Sequence, residues 1–225
     1  MAIQAVVFDM YETLITHYRS PLYFGAEMAA DAGIPREDFF RLWRDPAIDH
    51  ARTVGGMTLK ELLDRIFAEN GRPNDPLTDL LIARRTAVKE ECFRHLHEEI
   101  IPLLTALHER KLAVALISNC YEEEAKVIRK SPLMPFFDQV YLSCEQGVAK
   151  PDEEIFLRCL RDLSVRPEEC LYVGDGGSFE LETAGRLGMK PVQAAWYLQQ
   201  GSSQPTWRKF GFAQAEKPLD ILCYL

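Results

Sequence analysis

Short apolar runs that end abruptly on polar residues are the most regular feature of this chain. The first run, at residues 5–8, reads Ala-Val-Val-Phe and stops at Asp9. β-Branched valine favours a strand, and an uninterrupted run of this length is typical of a strand buried on both faces of a parallel sheet. Three later runs stop in a similar way: 112–117 before Ser118 and Asn119, 148–149 before Lys150, and 171–173 before Gly174 and Asp175.

Helical periodicity dominates the segment between the first run and residue 96. Apolar spacing predicts four helices there, at about 20–32, 35–43, 58–69 and 77–96. Thr58 followed by Glu61 has the spacing of a capping box, which indicates where the third helix begins. Gly55 and Gly56 indicate a turn or hinge between helices.

Strands and helices alternate in the second half of the chain. Helices are predicted at about 101–109, 122–129, 153–162 and 181–187, strands at 112–117, 139–142, 171–173 and 191–196, and a polar loop at 199–206. This alternation implies right-handed crossovers and a parallel, doubly wound α/β sheet. We therefore predict a Rossmann-like α/β core made of residues 1–15 and 97–225, with residues 16–96 inserted as a small helical bundle.

Composition and charge exclude two classes of partner. Hydrophobic residues make up 47% of the 225 residues and charged residues 27%, which is ordinary for a globular domain. The net charge of −8 argues against a nucleic-acid partner, because such binding needs a basic surface. No apolar run approaches the roughly 20 residues that span a bilayer, so we expect no membrane partner. No pattern in the sequence indicates an oligomeric state.

The six cysteines show no C-x-x-C pair and no clustered spacing. Several lie in apolar runs, where a free cysteine behaves as a small buried hydrophobe. Together with an N-terminus that lacks a secretion signal, this predicts a reducing, cytoplasmic setting. Cys120 directly follows Ser118 and Asn119, so we expect it near the pocket but without a catalytic role.

The polar residues at the run ends form a chemically useful set if the runs lie side by side. In open α/β sheets, ligands bind at the carboxyl ends of the strands. That edge would gather carboxylates, a hydroxyl, an amide and an ammonium, from Asp9, Asp175, Ser118, Asn119 and Lys150. Such a set suits a phosphate group and a divalent metal. The alternatives are a turn-capping role for Asp9 and a structural salt bridge between Lys150 and Asp175.

These residues and their order resemble the four motifs of the haloacid dehalogenase superfamily. The first motif is D-x-D-x-T, which begins with the nucleophile, and the fourth is acidic. The matching residues are, in motif order, Asp9 and Thr13, then Ser118, then Lys150, and finally Gly174, Asp175 and Glu180. The match runs from residue 6 to residue 189, most of the chain.

The resemblance implies a hydrolase in which Asp9 attacks the substrate, a small phosphorylated metabolite, and carries a covalent aspartyl-phosphate. It also implies Mg²⁺ held by Asp9, Asp175 and the backbone carbonyl of Tyr11. Glu180 would fix the metal-bound waters, and Lys150 would pair with the nucleophile and the phosphate. The substrate contacts implied in the core come from Thr13, Ser118 and Asn119.

Tyr11 stands where the phosphatases of this superfamily carry a second aspartate, which protonates the leaving group and activates water. Tyrosine has an ordinary pKa of about 10 and is a poor base near neutrality. The change favours a phosphatase restricted to good leaving groups, a 2-haloacid dehalogenase, or a phosphoryl-binding protein with little turnover. The dehalogenases lack Asp175 and carry a tyrosine where this chain has Phe156. A carbon–phosphorus hydrolase would need a cap lysine, for which Lys60 and Lys89 are weak candidates.

In the resembled superfamily, a helical insertion such as residues 16–96 is a cap that closes over the substrate and sets specificity. Arg44 resembles the arginine that holds the substrate carboxylate in the haloacid dehalogenases, and it also fits a solvated position on a charged helix face. Arg41, Arg52 and Lys60 are interpreted as surface charges. Under the dehalogenase hypothesis the substrate would be halogenated rather than phosphorylated.

Overall fold

The computed structural model describes residues 2–198 and 207–225, so the loop predicted at 199–206 lies outside the described residues. The strands are β1 (Ala5–Phe8), β2 (Ala113–Ser118), β3 (Gln139–Leu142), β4 (Cys170–Gly174), β5 (Lys190–Ala194) and β6 (Ala213–Ala215). They form one parallel sheet in the order β3-β2-β1-β4-β5-β6. This arrangement confirms the predicted doubly wound α/β class.

The described helices fall into two groups along the chain. The first group follows β1 and consists of α1 (Gly25–Ala32), α2 (Arg36–Trp43), α3 (Pro46–Thr53), α4 (Leu59–Glu69) and α5 (Leu77–Cys92). The second group connects the strands and consists of α6 (Ile100–Glu109), α7 (Glu122–Arg129), α8 (Ser143–Gln146), α9 (Glu153–Leu163) and α10 (Glu180–Arg186). None of the described helices is long and apolar enough to cross a membrane.

β1 lies in the middle of the sheet because all of its residues are apolar and can be buried on both sides. Its four residues are fully buried, and Phe8 lies between Leu116 of β2 and Val173 of β4. Val6 and Phe8 pack into one core cluster, whereas Ala5 and Val7 pack into another. The apolar run in the sequence therefore supplies two hydrophobic faces of a single strand.

The inserted helices α1 to α5 pack around a core of their own. Phe39, Leu62 and Phe67 are fully buried in this core. Thr58 and Glu61 exchange hydrogen bonds between side chain and backbone at the start of α4, which confirms the predicted capping box. This second core stands apart from the two clusters that flank the sheet.

Three features of the insertion differ from the sequence prediction, and one of them is that α5 ends at Cys92 rather than at about residue 96. The insertion contains five helices rather than four, because the additional helix, α3, carries only one large apolar residue, Ile48. Asp45 signals its start, since the carboxylate accepts hydrogen bonds from two backbone N–H groups of the first turn. α1 begins at Gly25 instead of residue 20, since His17–Arg19 forms a separate 3₁₀ turn.

Two short segments of the core also differ from the prediction. Residues 148–149 do not form a strand, because α8 precedes them and ends at Gly147 in a left-handed conformation with φ +68°. Lys150 therefore reaches the sheet edge from a loop. β6 was not predicted, because its three residues, Ala-Gln-Ala, form neither an apolar run nor an apolar–polar alternation long enough to indicate a strand.

Candidate active site

The carboxyl edge of the sheet brings three of the predicted residues together. Asp9 follows β1 directly, and its backbone N–H donates to the carbonyl of Val173 at 2.9 Å. Asp175 follows β4 in the same way. Ser118 is the last residue of β2, on the other side of β1. The three residues converge because β2, β1 and β4 are neighbouring parallel strands whose carboxyl ends lie at the same edge of the sheet.

Lys150 is the cation at the centre of the site. Its Nζ donates to Asp9 Oδ1 at 2.6 Å, to Tyr172 Oη at 3.2 Å and to Glu180 Oε2. Tyr172 in turn donates to Glu180 at 2.8 Å. Burial disfavours the ammonium, but the carboxylates of Asp9 and Glu180 outweigh it and raise the pKa of Lys150. Lys150 is therefore charged and fixed against the predicted nucleophile.

Asp9, Asp175 and Glu180 form a buried acidic cluster. One carboxylate oxygen from each lies within 4.8 Å of the others. Burial raises the pKa of Asp9 to about 8, against the opposing effect of Lys150 and with a further contribution from the two other carboxylates. When all three are ionised, the carboxylates face one ammonium, so a divalent cation would balance the charge and favour the ionised form of Asp9. Oxygen ligands of this kind suit Mg²⁺.

Two glycines allow Glu180 to come close to the backbone of the fourth motif. A Cβ atom on Gly174 would lie 2.1 Å from Glu180 Oε1, so any other residue here would displace the Glu180 carboxylate from its present position. Gly176 has φ +96°, which favours glycine, and its N–H donates to Glu180 Oε1 at 3.1 Å. Gly177 donates its N–H to Asp175 Oδ1 at 2.8 Å. The loop thus orients both carboxylates through its backbone.

Asn119, Ser118 and Thr13 differ in where they lie. The Asn119 amide donates to the Lys150 carbonyl and accepts from the Lys150 N–H, both at 2.8 Å, so it fixes the lysine loop. It also lines the cavity above Asp9, whereas Ser118 and Thr13 do not. The hydroxyls of Ser118 and Thr13 are buried and make no hydrogen bond within the described part of the chain.

Tyr11 is enclosed by His17, which the sequence analysis did not single out, and by Lys89, which it named only as a weak candidate for a cap lysine. Its ring stacks on His17 with the centroids 4.6 Å apart, and Lys89 Nζ lies 5.1 Å from the ring centroid. The hydroxyl is buried and has no hydrogen-bond partner among the residues described. Burial, with a smaller effect from Glu124, raises the pKa of Tyr11 well above its ordinary value. The side chain is therefore a neutral phenol near neutrality.

A buried network of ion pairs joins the inserted helices to the core above Tyr11. Arg52 Nη2 lies 2.7 Å from Glu123 Oε1, and Arg85 lies 3.0 Å from Glu123 and 3.1 Å from Glu124. Lys89 Nζ lies 2.6 Å from Glu124 Oε1. All five side chains are at most 7% exposed. The interpretation of Arg52 as a surface charge was therefore wrong.

Sequence patterns indicate this network only in part. Its two glutamates open α7 within a run of three, a pattern that also fits an exposed helix start. Arg41 and Lys60, by contrast, are exposed and pair with Glu69 and Asp64, which confirms their interpretation as surface charges. The cations of the network differ from Arg41 and Lys60 in being buried. Their burial results from the packing of α3 and α5 against α7, which the sequence alone does not show.

A cavity of about 820 Å³ opens between the inserted helices and the sheet edge. The predicted site residues that line it are Asp9, Tyr11, Arg44, Asn119, Lys150, Asp175 and Glu180. Aromatic side chains form much of the remaining wall, namely Tyr18, Phe24, Phe40, Trp43 and Tyr121. Arg44 is exposed and its guanidinium lies over the ring of Phe40, 4.2 Å from the centroid. This volume exceeds that of a phosphate group and leaves room for an organic substrate.

Residues 3–188 match the family model of the haloacid dehalogenase-like hydrolases. The chain belongs to this family. The matched residues contain the acidic cluster, Lys150 and the inserted helices. This haloacid dehalogenase-like protein is thus a hydrolase, as the order of its four motifs predicts.

Known proteins similar to this haloacid dehalogenase-like hydrolase fall on both sides of the phosphatase–dehalogenase division. Glyceraldehyde 3-phosphate phosphatase of Methanopyrus kandleri is 28% identical over 202 residues, which cover 85% of this chain and 83% of the relative. A haloacid dehalogenase family enzyme of Bacteroides thetaiotaomicron, solved with magnesium and inorganic phosphate, superposes with a TM-score of 0.66 at 21% identity, covering 90% and 97% of the two chains. A 2-haloacid dehalogenase of Pseudomonas syringae superposes with a TM-score of 0.69 at 21% identity, covering 98% and 96%. The structural likenesses establish the fold.

Proposed function

We propose that this haloacid dehalogenase-like hydrolase is a Mg²⁺-dependent phosphatase that acts on a small phosphorylated metabolite through an aspartyl-phosphate at Asp9. The observation that carries this proposal is the buried cluster of Asp9, Asp175 and Glu180, with oxygens within 4.8 Å and Lys150 bound to two of the three. The similarity to a glyceraldehyde 3-phosphate phosphatase over most of both chains supports the same conclusion.

The covalent step follows from the position of Asp9 beside Lys150. A carboxylate oxygen of Asp9 attacks phosphorus, the bond between phosphorus and the leaving oxygen breaks, and the leaving group departs as an oxyanion that takes its proton from water. The ammonium of Lys150, 2.6 Å from Asp9 Oδ1, offsets negative charge where carboxylate and phosphate meet. Water then attacks the phosphorus of the aspartyl-phosphate, which releases inorganic phosphate and restores the Asp9 carboxylate.

Asp9, Asp175 and the backbone carbonyl of Tyr11 would hold the metal. Glu180 would act through a metal-bound water, because its oxygens already accept from Lys150, Tyr172 and the N–H of Gly176. When bound, Mg²⁺ screens the charge of the phosphoryl group and orients it toward the nucleophile.

The substrate contacts complete this proposal. Asn119 lines the cavity. The hydroxyls of Ser118 and Thr13 are buried behind the cavity wall and have no hydrogen-bond partner among the described residues; we propose them as donors to the phosphate or to the nucleophile when substrate is bound. Arg44, at the cavity wall, is proposed to contact the far end of the substrate. We assign the core to residues 1–15 and 97–225 and the cap to residues 16–96, because the inserted helices have their own hydrophobic core.

Tyr11 defines the main alternative, a 2-haloacid dehalogenase. In that reaction a halide leaves and needs no proton, so a neutral phenol at this position would be tolerated. Two residues argue against it: Asp175 adds a metal-binding carboxylate, and Phe156 is fully buried in the core on α9. A phosphoryl-binding protein without turnover would have no use for Asp9 paired to Lys150.

A paired assay tests the proposal. Phosphate release from a panel of phosphorylated metabolites is measured with Mg²⁺ and with chelator, beside halide release from 2-haloacids. We expect Mg²⁺-dependent phosphate release that Asp9→Asn abolishes and that Asp64→Asn, at an exposed cap position paired with Lys60, leaves unchanged. Metal-independent halide release would establish the dehalogenase instead. Binding of phosphate without turnover in either assay would establish the binding protein.

A further inference from the structure

Two cysteines, Cys120 and Cys144, lie together at the seam between the core and the inserted helices. Ser118 of β2 is the register partner of Leu142 of β3, and each cysteine is two residues beyond one member of that pair. The side chain of Ser143 binds the chain on both sides of this seam, because its Oγ accepts from the Cys120 N–H at 3.0 Å and donates to the Thr53 carbonyl at 2.7 Å, with the Cys120 carbonyl 3.2 Å away.

The two thiols are close enough for a disulfide. The strands that lead to them are neighbours about 4.8 Å apart, and disulfides join Cα atoms about 4.4–6.8 Å apart. Just beyond the strand ends, the side chains of Cys120, after β2, and Cys144, in α8, are hydrogen-bonded to each other. The Ser143 hydrogen bonds keep residues 120 and 143 close where α8 begins, beyond the last register pair. Both cysteines pack against the same hydrophobic cluster.

We propose that Cys120 and Cys144 form an oxidisable dithiol site, at which a peroxide converts the two thiols to a disulfide beside the catalytic cavity. The two cysteines have different accessibility. Cys144 is half-buried, whereas Cys120 is 2% exposed and lines the cavity. Cys144 is thus the thiol that meets an oxidant from outside.

The chemistry proceeds in two balanced steps. The Cys144 thiolate attacks one oxygen of the peroxide, which breaks the O–O bond and gives a sulfenic acid and hydroxide. The Cys120 sulfur then attacks the sulfenic sulfur of Cys144 and the disulfide forms. The proton of the Cys120 thiol leaves with the hydroxyl group of the sulfenic acid as water. The hydrogen bond with Cys120 lowers the pKa of Cys144 and raises that of Cys120, which suits these two roles.

Oxidation would reach the active site through short connections. Asn119 precedes Cys120 and holds the Lys150 loop through two hydrogen bonds of 2.8 Å. On the other side, Ser143 Oγ also donates to the carbonyl of Thr53 at 2.7 Å in the inserted helices. A disulfide draws the sulfurs to about 2.05 Å, so the chain beside Asn119 must move, and displacements of about 1 Å cost up to about a hundredfold in rate.

Thiol counting tests the site without reference to any activity. The full chain is treated with hydrogen peroxide, unfolded and alkylated, and its intact mass and cross-linked peptides are determined. We expect the number of alkylated cysteines to fall from six, the number in the sequence, by two, with a 120–144 cross-link. Cys144→Ser should prevent this loss, and Cys223→Ser, at an exposed cysteine, should keep it. Full alkylation after oxidation, or a cross-link at Cys159 and Cys170, would overturn the proposal.

Activity measurements then test the consequence. We expect peroxide to lower phosphate release by about ten- to a hundredfold, dithiothreitol to restore it, and Cys144→Ser to resist the oxidant at unchanged basal activity. A disulfide that leaves the rate unaltered would refute the connection through Asn119. Thiol counting remains decisive for the site itself even if the protein proves not to be a phosphatase.

Discussion

Glu124→Gln is the sharpest test of the buried ion pairs between the inserted helices and the core. The Glu124 carboxylate accepts from Lys89 Nζ at 2.6 Å, from Arg85 Nη2 at 3.1 Å and from the N–H of Tyr121 at 3.1 Å. Glutamine preserves the shape but removes the charge. Arg85 would keep its pair with Glu123, whereas Lys89 would lose its carboxylate partner and remain buried.

Two arguments give the same magnitude. Burial by itself would raise the pKa of Glu124, but Lys89 and Arg85 outweigh it and lower the pKa to about 2, against 4.5 ordinarily. At about 1.36 kcal/mol per pH unit, ionised Glu124 contributes about 3 kcal/mol to stability. Breaking a buried pair by removing one partner costs about 3–5 kcal/mol. The lower end applies here, because burial lowers the pKa of Lys89 even beside Glu124, so the lysine can release its proton once the carboxylate is removed. We therefore expect Glu124→Gln to lower the free energy of unfolding at pH 7 by about 3 kcal/mol.

The sign of the pH dependence follows from the lowered pKa. The contribution of Glu124 is fully present above pH 4.5 and is lost as the pH falls toward 2, because the unfolded chain then binds the proton first. The difference between the wild type and Glu124→Gln should therefore narrow below pH 4.5.

Urea unfolding of both proteins, measured from pH 7 down to pH 3, checks these expectations. At pH 7 the midpoint of thermal unfolding should fall by about 6–12 °C, since 1 kcal/mol is worth about 2–4 °C in a chain of this length. The matched control is Glu122→Gln on the same helix, where the exposed pair with Lys126 should contribute less than about 1 kcal/mol. If Glu124→Gln lowers the free energy of unfolding by no more than Glu122→Gln does, the assigned magnitude is refuted. The cost of burying the charges would then cancel the attraction between Glu124 and its two cations.

Three further predictions concern the site. Tyr11→Asp should speed the hydrolysis of alkyl phosphates, by at most the roughly 10²–10⁴-fold of general acid–base catalysis. The rate of hydrolysis of aryl phosphates should change little. An unchanged rate with alkyl phosphates in steady-state assays would contradict this prediction. Gly174→Ala should weaken Mg²⁺ activation about tenfold, because its Cβ would lie 2.1 Å from Glu180 Oε1. The control Gly185→Ala in α10, whose Cβ would lie 3.6 Å from the nearest atom, should leave the activation unchanged. Chelation should abolish phosphate release and added Mg²⁺ should restore it, without a change in far-UV circular dichroism.

The first five strands and the order of the motif residues could be predicted because they depend on local sequence, whereas β6 was missed. β1 is an uninterrupted apolar run, and β3 was predicted at its observed bounds, Gln139–Leu142. Lys150 was placed at a strand end and instead follows the short helix α8. An apolar run of two residues, as before Lys150, is too short to distinguish a strand from a loop, whereas the run of four residues in β1 is long enough to indicate a strand.

The pairs around Tyr11 could not be predicted, because they join residues far apart in the chain. Lys89 and Glu124 are 35 positions apart, on α5 and α7. An isolated lysine or glutamate on a helix is most often solvated, and only the packing of the inserted helices against α7 makes these two buried partners. The proposed nucleophile and the acidic cluster could therefore be predicted from the sequence, whereas the surroundings of Tyr11 required the tertiary structure.

Those surroundings also limit what an aspartate at position 11 can achieve. The Lys89 ammonium lies 5.1 Å from the Tyr11 ring centroid, so a carboxylate introduced there would meet a nearby positive charge. A neighbouring cation lowers the pKa of a carboxyl group, and an acid that is mostly ionised near pH 7 donates its proton to a leaving alkoxide less often. We therefore expect the gain from Tyr11→Asp to lie nearer 10² than 10⁴ within the range of general acid catalysis, and to increase as the pH is lowered from 8 to 5. A gain that is independent of pH across this interval would show that Lys89 does not govern the proton at position 11.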